Sequence, residues 1–143
     1  MPELVLIRGL PGSGKTTMAK HTFRDYVHLE ADQYFERPDW NLTGKRTREK
    51  DAWLAHAWCL KAAEDYLEGG HNVVVSNTFI RKSELTPYLD LSYATRVIVA
   101  DGHFQSIHNV PQEVMARMKK QWQDFGPKYK VVPLCQIFSH PTK

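Results

Sequence analysis

The fold of this chain is decided by one stretch near its amino terminus, Gly9-Leu10-Pro11-Gly12-Ser13-Gly14-Lys15-Thr16. The stretch matches the pattern G-x-x-x-x-G-K-S/T at every specified position. Its glycines allow backbone conformations that other side chains forbid, so successive N–H groups can point inward at phosphate oxygens. The apolar run from Leu4 to Ile7 predicts a buried strand before it, and a helix is predicted over residues 15–24. Because a phosphate-binding loop needs a strand before it and a helix after it, the context favours a true motif over a chance match.

This loop predicts a binding site for ATP and Mg²⁺. Lys15 would place a flexible ammonium on the terminal phosphates, and Thr16 would offer its hydroxyl to Mg²⁺, which takes oxygen ligands. The chain has no Asn-Lys pair, which a guanine-reading motif would need, and it is short for a motor or transporter ATPase. The small size of the chain, together with an acidic residue discussed below, favours transfer of phosphate to a small acceptor. The residues predicted to bind the nucleotide are Gly12, Ser13, Gly14, Lys15, Thr16 and Thr17.

The composition is that of one globular domain. The chain has 143 residues, of which 42% are hydrophobic and 24% charged, so it is neither a disordered tail nor a fibrous repeat. No apolar run approaches the roughly 20 residues of a membrane span, and the start lacks a secretory signal. The two cysteines, Cys59 and Cys135, suit buried thiols in a reducing compartment. We therefore expect a single cytoplasmic domain over residues 1–143 with no membrane partner and no structural metal, and its oligomeric state stays open.

The remaining elements alternate between short apolar runs and amphipathic stretches. This alternation predicts an α/β fold in which a parallel sheet of four to five strands is flanked by helices. Further strands are expected at residues 26–29, 73–75, 96–100 and, at a sheet edge because of Pro133, 130–138. Further helices are expected at 46–68, from a Ser83 cap to about 90, and from Pro111 to about 124, with a loop at 101–110. The buried stripe of the long helix is predicted to contain Trp53, Ala57, Leu60, Ala63 and Leu67.

Asp32 is the candidate catalytic base, since it directly follows the predicted strand at residues 26–29. In α/β sheets, ligands bind at the carboxyl ends of the strands, where a carboxylate can accept a proton from an attacking hydroxyl. Position alone equally allows Asp32 to be the N-cap of a helix that begins at Gln33. Glu30 is less suited to the role of base.

The sequence resembles the small P-loop kinases related to the kinase domain of phage polynucleotide kinase. The resemblance runs from the first strand to about Trp122 and rests on four stretches: residues 9–17; Asp32-Gln33-Tyr34; Val73 to Thr78 with Glu84 and Pro87-Tyr88; and Val110-Pro111 with Arg117-Met118. It implies a single P-loop kinase domain with a short lid, transfer of the γ-phosphate of ATP to a hydroxyl, and Asp32 as the general base. It also implies that the segment from Ser76 to Thr78 lies beside the loop, at the end of the strand that helps to organise the metal and the acceptor. Asn77 stands where a carboxylate can occur and cannot act as a base.

The chain departs from this family in two places. Phe79 stands where relatives often have asparagine, which predicts an apolar wall on which a base could stack. The segment before Pro111 is short and contains no arginine, although charge on the transferring phosphoryl group must still be met. Arg117, Arg81 and Arg8, in that order, are the candidates to replace the lid arginine, with a solvated helix face as the alternative for Arg117. The substrate-binding candidates are Asn77, Thr78, Phe79, Arg81 and His108, and His103 and His108 are either acceptor-lining or simply exposed.

The acceptor is expected to be a hydroxyl of DNA. The short lid also resembles small stand-alone phage proteins, some of which phosphorylate 5-hydroxymethyluracil within DNA. The alternatives are a 5′-hydroxyl of a polynucleotide, a free nucleoside or small metabolite, and an adaptor that binds nucleotide without transfer. A basic cluster surrounds the start of the long helix, between Trp40 and Trp53, and it is either a nucleic-acid docking edge or a solubilising helix start with Trp53 in the core. The cluster consists of Lys45, Arg46, Arg48 and Lys50.

Overall fold

The described residues form a parallel sheet of five strands. The computed structural model describes residues 1–100 and 111–123 and the backbone of residues 131–133. The strands are β1 (Glu3–Arg8), β2 (Val27–Leu29), β3 (Val73–Asn77), β4 (Ala94–Val99) and β5 (Val131–Pro133). They lie in the order β2-β3-β1-β4-β5, and every neighbouring pair is parallel. The predicted α/β class is confirmed, and β5 with its proline lies at a sheet edge as expected.

Four α-helices and one short 3₁₀ helix connect the strands of the described segments. They are α1 (Lys15–Thr22), the 3₁₀ helix (Ala31–Glu36), α2 (Arg48–Glu68), α3 (Lys82–Leu89) and α4 (Gln112–Gln121). Among the described residues, no helix has both the length and the apolar character that crossing a bilayer requires. The predicted loop at residues 101–110, with His103 and His108, and most of the predicted strand at 130–138, with Cys135, lie outside the described residues.

The central strand β1 is buried on both faces, as its continuous apolar run predicts. Leu4 and Leu6 pack in one hydrophobic cluster with residues of α2 and α3. Val5 and Ile7 point the other way, into a second cluster with Met18 and other residues of α1. Successive side chains of a strand alternate between faces, so one strand supplies both layers of the core. The carboxyl end of β1, where the phosphate-binding loop begins, is therefore anchored in both layers of the core.

The buried stripe of α2 differs from the predicted one. Trp53 is 69% exposed, and Ala57 is exposed as well. The prediction was wrong in the first half of the helix. Small side chains such as Ala55 and Cys59 face the core there, because they allow the helix to lie closer to the sheet than Trp53 would. The residues that are buried follow each other at intervals of four: Asp51, Ala55, Cys59, Ala63 and Leu67. The buried thiol of Cys59 agrees with expectation.

The predicted cap of α3 was also wrong. Ser83 lies inside the helix, which begins at Lys82 after Arg81 in the cap position. The Glu84 carboxylate accepts a hydrogen bond of 2.7 Å from the backbone N–H of Arg81, which satisfies one of the free donors at this helix start. After the C-terminal end of α2, Gly70 adopts a φ of +88°, the left-handed conformation that was predicted for the end of this helix.

Arg8 ties three parts of the fold together and is 1% exposed. Its guanidinium donates hydrogen bonds to the carbonyls of Phe79 at 3.0 Å and Ile80 at 3.1 Å. Its Cζ also lies 3.9 Å from the centroid of a Trp122 ring, beyond the end of α4. This arginine therefore stabilises the segment after β3, and we remove it from the candidates to contact a transferring phosphoryl group.

Candidate phosphate-binding and catalytic site

The phosphate-binding loop has the backbone geometry that its glycines predict. Gly12 and Gly14 adopt φ values of +81° and +93°, a region that glycine enters without steric cost. Gly14 is the N-cap of α1, and its carbonyl accepts a hydrogen bond of 2.9 Å from the N–H of Met18. The positive end of α1 therefore opens directly onto the loop, in the arrangement that favours bound phosphate.

Gly9 is the point where the loop passes closest to the sheet. A Cβ at this position would lie 2.3 Å from the Ser13 hydroxyl and 2.6 Å from the carbonyl oxygen of Ala100. The N–H of Gly9 donates to the carbonyl of Thr78 at 3.2 Å. The first glycine of the motif is thus required by close packing rather than by a positive φ.

Lys15 lies over the loop, and its ammonium donates a hydrogen bond of 3.1 Å to the carbonyl of Leu10. Burial lowers the pKa of Lys15 from 10.5 to about 8, against the opposing effect of the carboxylates of Glu30 and Asp32. A bound anion would therefore raise the pKa of Lys15, since further negative charge favours the protonated form of the amine.

Glu30, which the sequence interpretation ranked below Asp32, lies at the centre of a hydrogen-bond network. One carboxylate oxygen, Oε1, accepts hydrogen bonds from the hydroxyls of Thr16 at 2.5 Å and Ser76 at 2.8 Å. The Nε2 atom of His28 is 3.1 Å from the same oxygen and 2.7 Å from the Ser76 hydroxyl. Burial raises the pKa of Glu30, but the hydrogen bonds from His28, Thr16 and Ser76 outweigh it and lower the pKa to about 2.

Asp32 lies in the first turn of the 3₁₀ helix that follows β2, at the carboxyl edge of the sheet. Glu30 is the N-cap of that helix, so the alternative prediction, in which Asp32 is the N-cap, was wrong. The Asp32 side chain is 46% exposed, and its Oδ1 is 3.8 Å from Nη1 of Arg48. Its charge acts on Lys15. Asp32 therefore lies at the same carboxyl edge of the sheet as the loop, with its side chain partly exposed.

Asn77 and Phe79 are buried and make structural contacts. The Asn77 side chain is buried, and its Oδ1 accepts a hydrogen bond of 2.9 Å from the N–H of Ala31. It thus holds the backbone between Glu30 and Asp32. Phe79 is 2% exposed and packs edge-on against Tyr88 with ring centroids 5.5 Å apart, so the expectation of a base-stacking wall was wrong.

Thr78, Arg81 and Arg117 are the remaining sequence candidates among the described residues. Thr78 contributes its backbone carbonyl to the contact with Gly9. Arg81 is exposed at the start of α3, and Arg117 is exposed on α4. The structure thus brings together the loop, Lys15, Thr16, Glu30 and Asp32, and leaves both exposed arginines outside the hydrogen-bond network around Glu30.

The fold and the loop together define the class: a parallel α/β domain of the P-loop kinase type. A family model described as an AAA domain, AAA_33, matches residues 4–101, and the chain belongs to this family.

Comparison with individual proteins gives more distant likenesses. Human NEDD4-binding protein 2 is 29% identical over 158 residues, which cover 98% of this chain and 8% of that protein, so the chain spans about 8% of the length of this relative. An unliganded sugar kinase from Janibacter sp. HTCC2649 superposes with a TM-score of 0.70 at 15% identity, covering 97% of this chain and 91% of the other. A chain of the Pnkp1/Rnl/Hen1 RNA repair complex gives a TM-score of 0.56 at 20% identity, covering 89% and 40%. These two structures share the fold.

Proposed function

We propose that the protein is an ATP- and Mg²⁺-dependent phosphotransferase that moves the γ-phosphate to a hydroxyl of DNA. The observation that carries this proposal is the placement of Asp32 at the same sheet edge as Lys15 and the glycine-rich loop. A phosphate-binding loop alone would serve many nucleotide-binding proteins. A solvent-accessible carboxylate near it adds a group that can accept a proton from an alcohol.

In the proposed reaction, the loop amides and Lys15 bind the β- and γ-phosphates. The acceptor oxygen attacks the γ-phosphorus, its proton passes to the Asp32 carboxylate, and the bond from that phosphorus to the bridging oxygen breaks to leave ADP. The Thr16 hydroxyl would hold Mg²⁺, which would neutralise charge on the phosphate oxygens. Arg81 and Arg117, both exposed, remain the candidates to contact the transferring phosphoryl group.

The basic cluster supports DNA as the acceptor. All four of its side chains are exposed, and Arg48 lies against the Asp32 carboxylate. Trp53 follows Lys50 by three positions on α2, so the two side chains are neighbours on the helix surface. An exposed tryptophan next to cations is suited to a nucleic-acid strand, since cations contact the phosphates and aromatic rings stack on bases. A strand bound there would lie beside the proposed base.

The acceptor is tested with γ-labelled ATP and a panel of substrates. The panel contains end-blocked DNA with 5-hydroxymethyluracil, 5′-hydroxyl oligonucleotides of DNA and RNA, and free nucleosides. We expect label in the end-blocked hydroxymethylated DNA. Label restricted to 5′ ends would instead identify a polynucleotide kinase, and label restricted to nucleosides would reject DNA. Nucleotide binding without label in any acceptor would indicate an adaptor.

Replacing Trp53 with alanine should raise the KM for DNA by at least about fivefold, because stacking contributes roughly 1–3 kcal/mol per base. The KM for ATP should not change. Tyr66→Ala is the matched control, since Tyr66 is also an exposed aromatic residue of α2 but lies near its other end. Steady-state kinetics with each substrate varied in turn measure both constants. Equal DNA KM values for Trp53→Ala and the wild type would remove Trp53 from the acceptor site.

Nucleotide binding should take up a proton at alkaline pH. Lys15 has a pKa of about 8 in the free protein, and phosphate oxygens raise that pKa because they favour the ammonium form. Binding of ADP without Mg²⁺ at pH 8.5 should therefore show proton uptake, measured calorimetrically in buffers of different ionisation enthalpy. Uptake should largely vanish at pH 7, where Lys15 is already protonated. Equal uptake at the two pH values would contradict this assignment.

A further inference from the structure

We infer that Glu30, delivered from β2, is the positioning carboxylate that orients Thr16 and the water shell of Mg²⁺, with Ser76 and His28 holding it in place. This inference rests on the nucleotide-binding half of the proposed function and does not depend on the acceptor. In P-loop proteins, Mg²⁺ is held by the hydroxyl of the loop together with a carboxylate from a strand. The neighbour of β1 on this side is β3, and its residue facing the network is Ser76, which has no carboxylate.

The direction of the Thr16 hydrogen bond is the first argument. The Thr16 hydroxyl is 2.5 Å from Glu30 Oε1, and an ionised carboxylate only accepts hydrogen bonds, so the hydroxyl proton points at Glu30. The oxygen lone pairs of Thr16 then face away from Glu30 and are free for a cation. A carboxylate so placed also has capacity to accept hydrogen bonds from metal-bound water, which Mg²⁺ retains.

The support behind Glu30 is the second argument. The Ser76 hydroxyl donates to the same Oε1, and His28 lies within hydrogen-bonding distance of both. These contacts join β2, β3 and the start of α1 at one oxygen atom. Such outer partners fix the orientation of metal-binding groups, and their loss typically lowers metal affinity by about 10- to 100-fold.

The test measures nucleotide affinity as a function of Mg²⁺, with no acceptor present. ADP binding is titrated calorimetrically at increasing MgCl₂ concentrations for the wild type and Glu30→Gln. We expect the variant to bind ADP normally in EDTA and to need about 10- to 100-fold more Mg²⁺ for its enhancement of affinity. An unchanged Mg²⁺ requirement in a folded Glu30→Gln protein would overturn the inference. Absence of ADP binding in the wild type would instead refute the proposed function.

A second variant separates positioning from a purely structural role. Ser76 Oγ lies 2.8 Å from the Glu30 carboxylate oxygen, so an aspartate at position 76 would bring a carboxylate close to Thr16 from β3. Ser76→Asp in the Glu30→Gln background should recover most of the lost Mg²⁺ response, and failure to recover it would count against the inference. If Glu30→Gln does not fold, Ser76→Ala decides: a weakened Mg²⁺ response supports the inference, and an unchanged response overturns it.

Discussion

Asp32→Asn should lower the rate of phosphoryl transfer by about 10²- to 10⁴-fold, the range that general-base catalysis contributes. An amide keeps the size of the side chain but cannot accept the proton of the acceptor hydroxyl. Binding of ADP should change little, because the nucleotide contacts come from the loop, Lys15 and Thr16. Transfer is measured with γ-labelled ATP and the acceptor found in the panel, and nucleotide affinity by calorimetry.

Glu36→Gln is the matched control for this prediction. Glu36 is an exposed carboxylate at the far end of the same 3₁₀ helix, so its removal changes the net charge equally without touching the proposed base. Its transfer rate should equal that of the wild type. Asp32→Asn transferring phosphate at the normal rate would eliminate Asp32 as the base and reopen the adaptor alternative.

Gly9→Ala should weaken nucleotide binding and destabilise the protein. The new Cβ would be 2.6 Å from the carbonyl oxygen of Ala100, the residue directly after β4. Because this oxygen belongs to the backbone, it cannot rotate away as a side chain could. Overpacking of this kind costs about 1–3 kcal/mol, which corresponds to a loss of roughly 3–10 °C in Tm for a domain of this size. Because the loop must shift to relieve the clash, ADP affinity should fall by at least about tenfold, the equivalent of 1.4 kcal/mol.

Gly69→Ala provides the comparison for Gly9→Ala. Gly69 has a φ of −77°, and the atoms nearest to its built Cβ are at 3.4 Å, so alanine fits with little adjustment. Its Tm should equal or slightly exceed that of the wild type, because alanine restricts the unfolded chain. Thermal melting and ADP titration of the two variants side by side measure the difference. If Gly9→Ala had the same Tm and the same ADP affinity as Gly69→Ala, position 9 would have room for a Cβ beside Ala100, and the prediction would be wrong.

Much of the fold was predictable because its signals are local. The glycines at positions 12 and 14 specify left-handed backbone, and the valines of β3 specify a buried strand. Thr47 caps α2 by accepting a hydrogen bond of 3.2 Å from the N–H of Lys50, and α2 ends at paired glycines, so its bounds agree with the prediction to within two residues. Each of these features depends on neighbours within a few positions of the chain.

The predictions that were wrong depended on contacts between distant parts of the chain. A helix with two apolar stripes does not specify which one faces the sheet, and on α2 the stripe of small residues does, which leaves Trp53 exposed. Arg8 was a candidate to replace the lid arginine, and Asn77 was a substrate-binding candidate because of the resemblance to the kinase family. Both are buried instead, where they satisfy backbone groups of segments more than 40 positions away in the chain.

The eight residues from Gly9 to Thr16 suffice to predict a phosphate-binding loop, since that loop's chemistry is made from its own backbone and two of its own side chains. The meeting of Thr16, Glu30 and Ser76 at one oxygen atom has no such local signal. It depends on the strand order β2-β3-β1, which places the ends of three strands side by side. In that order β1 lies inside the sheet with both of its faces buried, and this burial joins segments that are far apart in the chain.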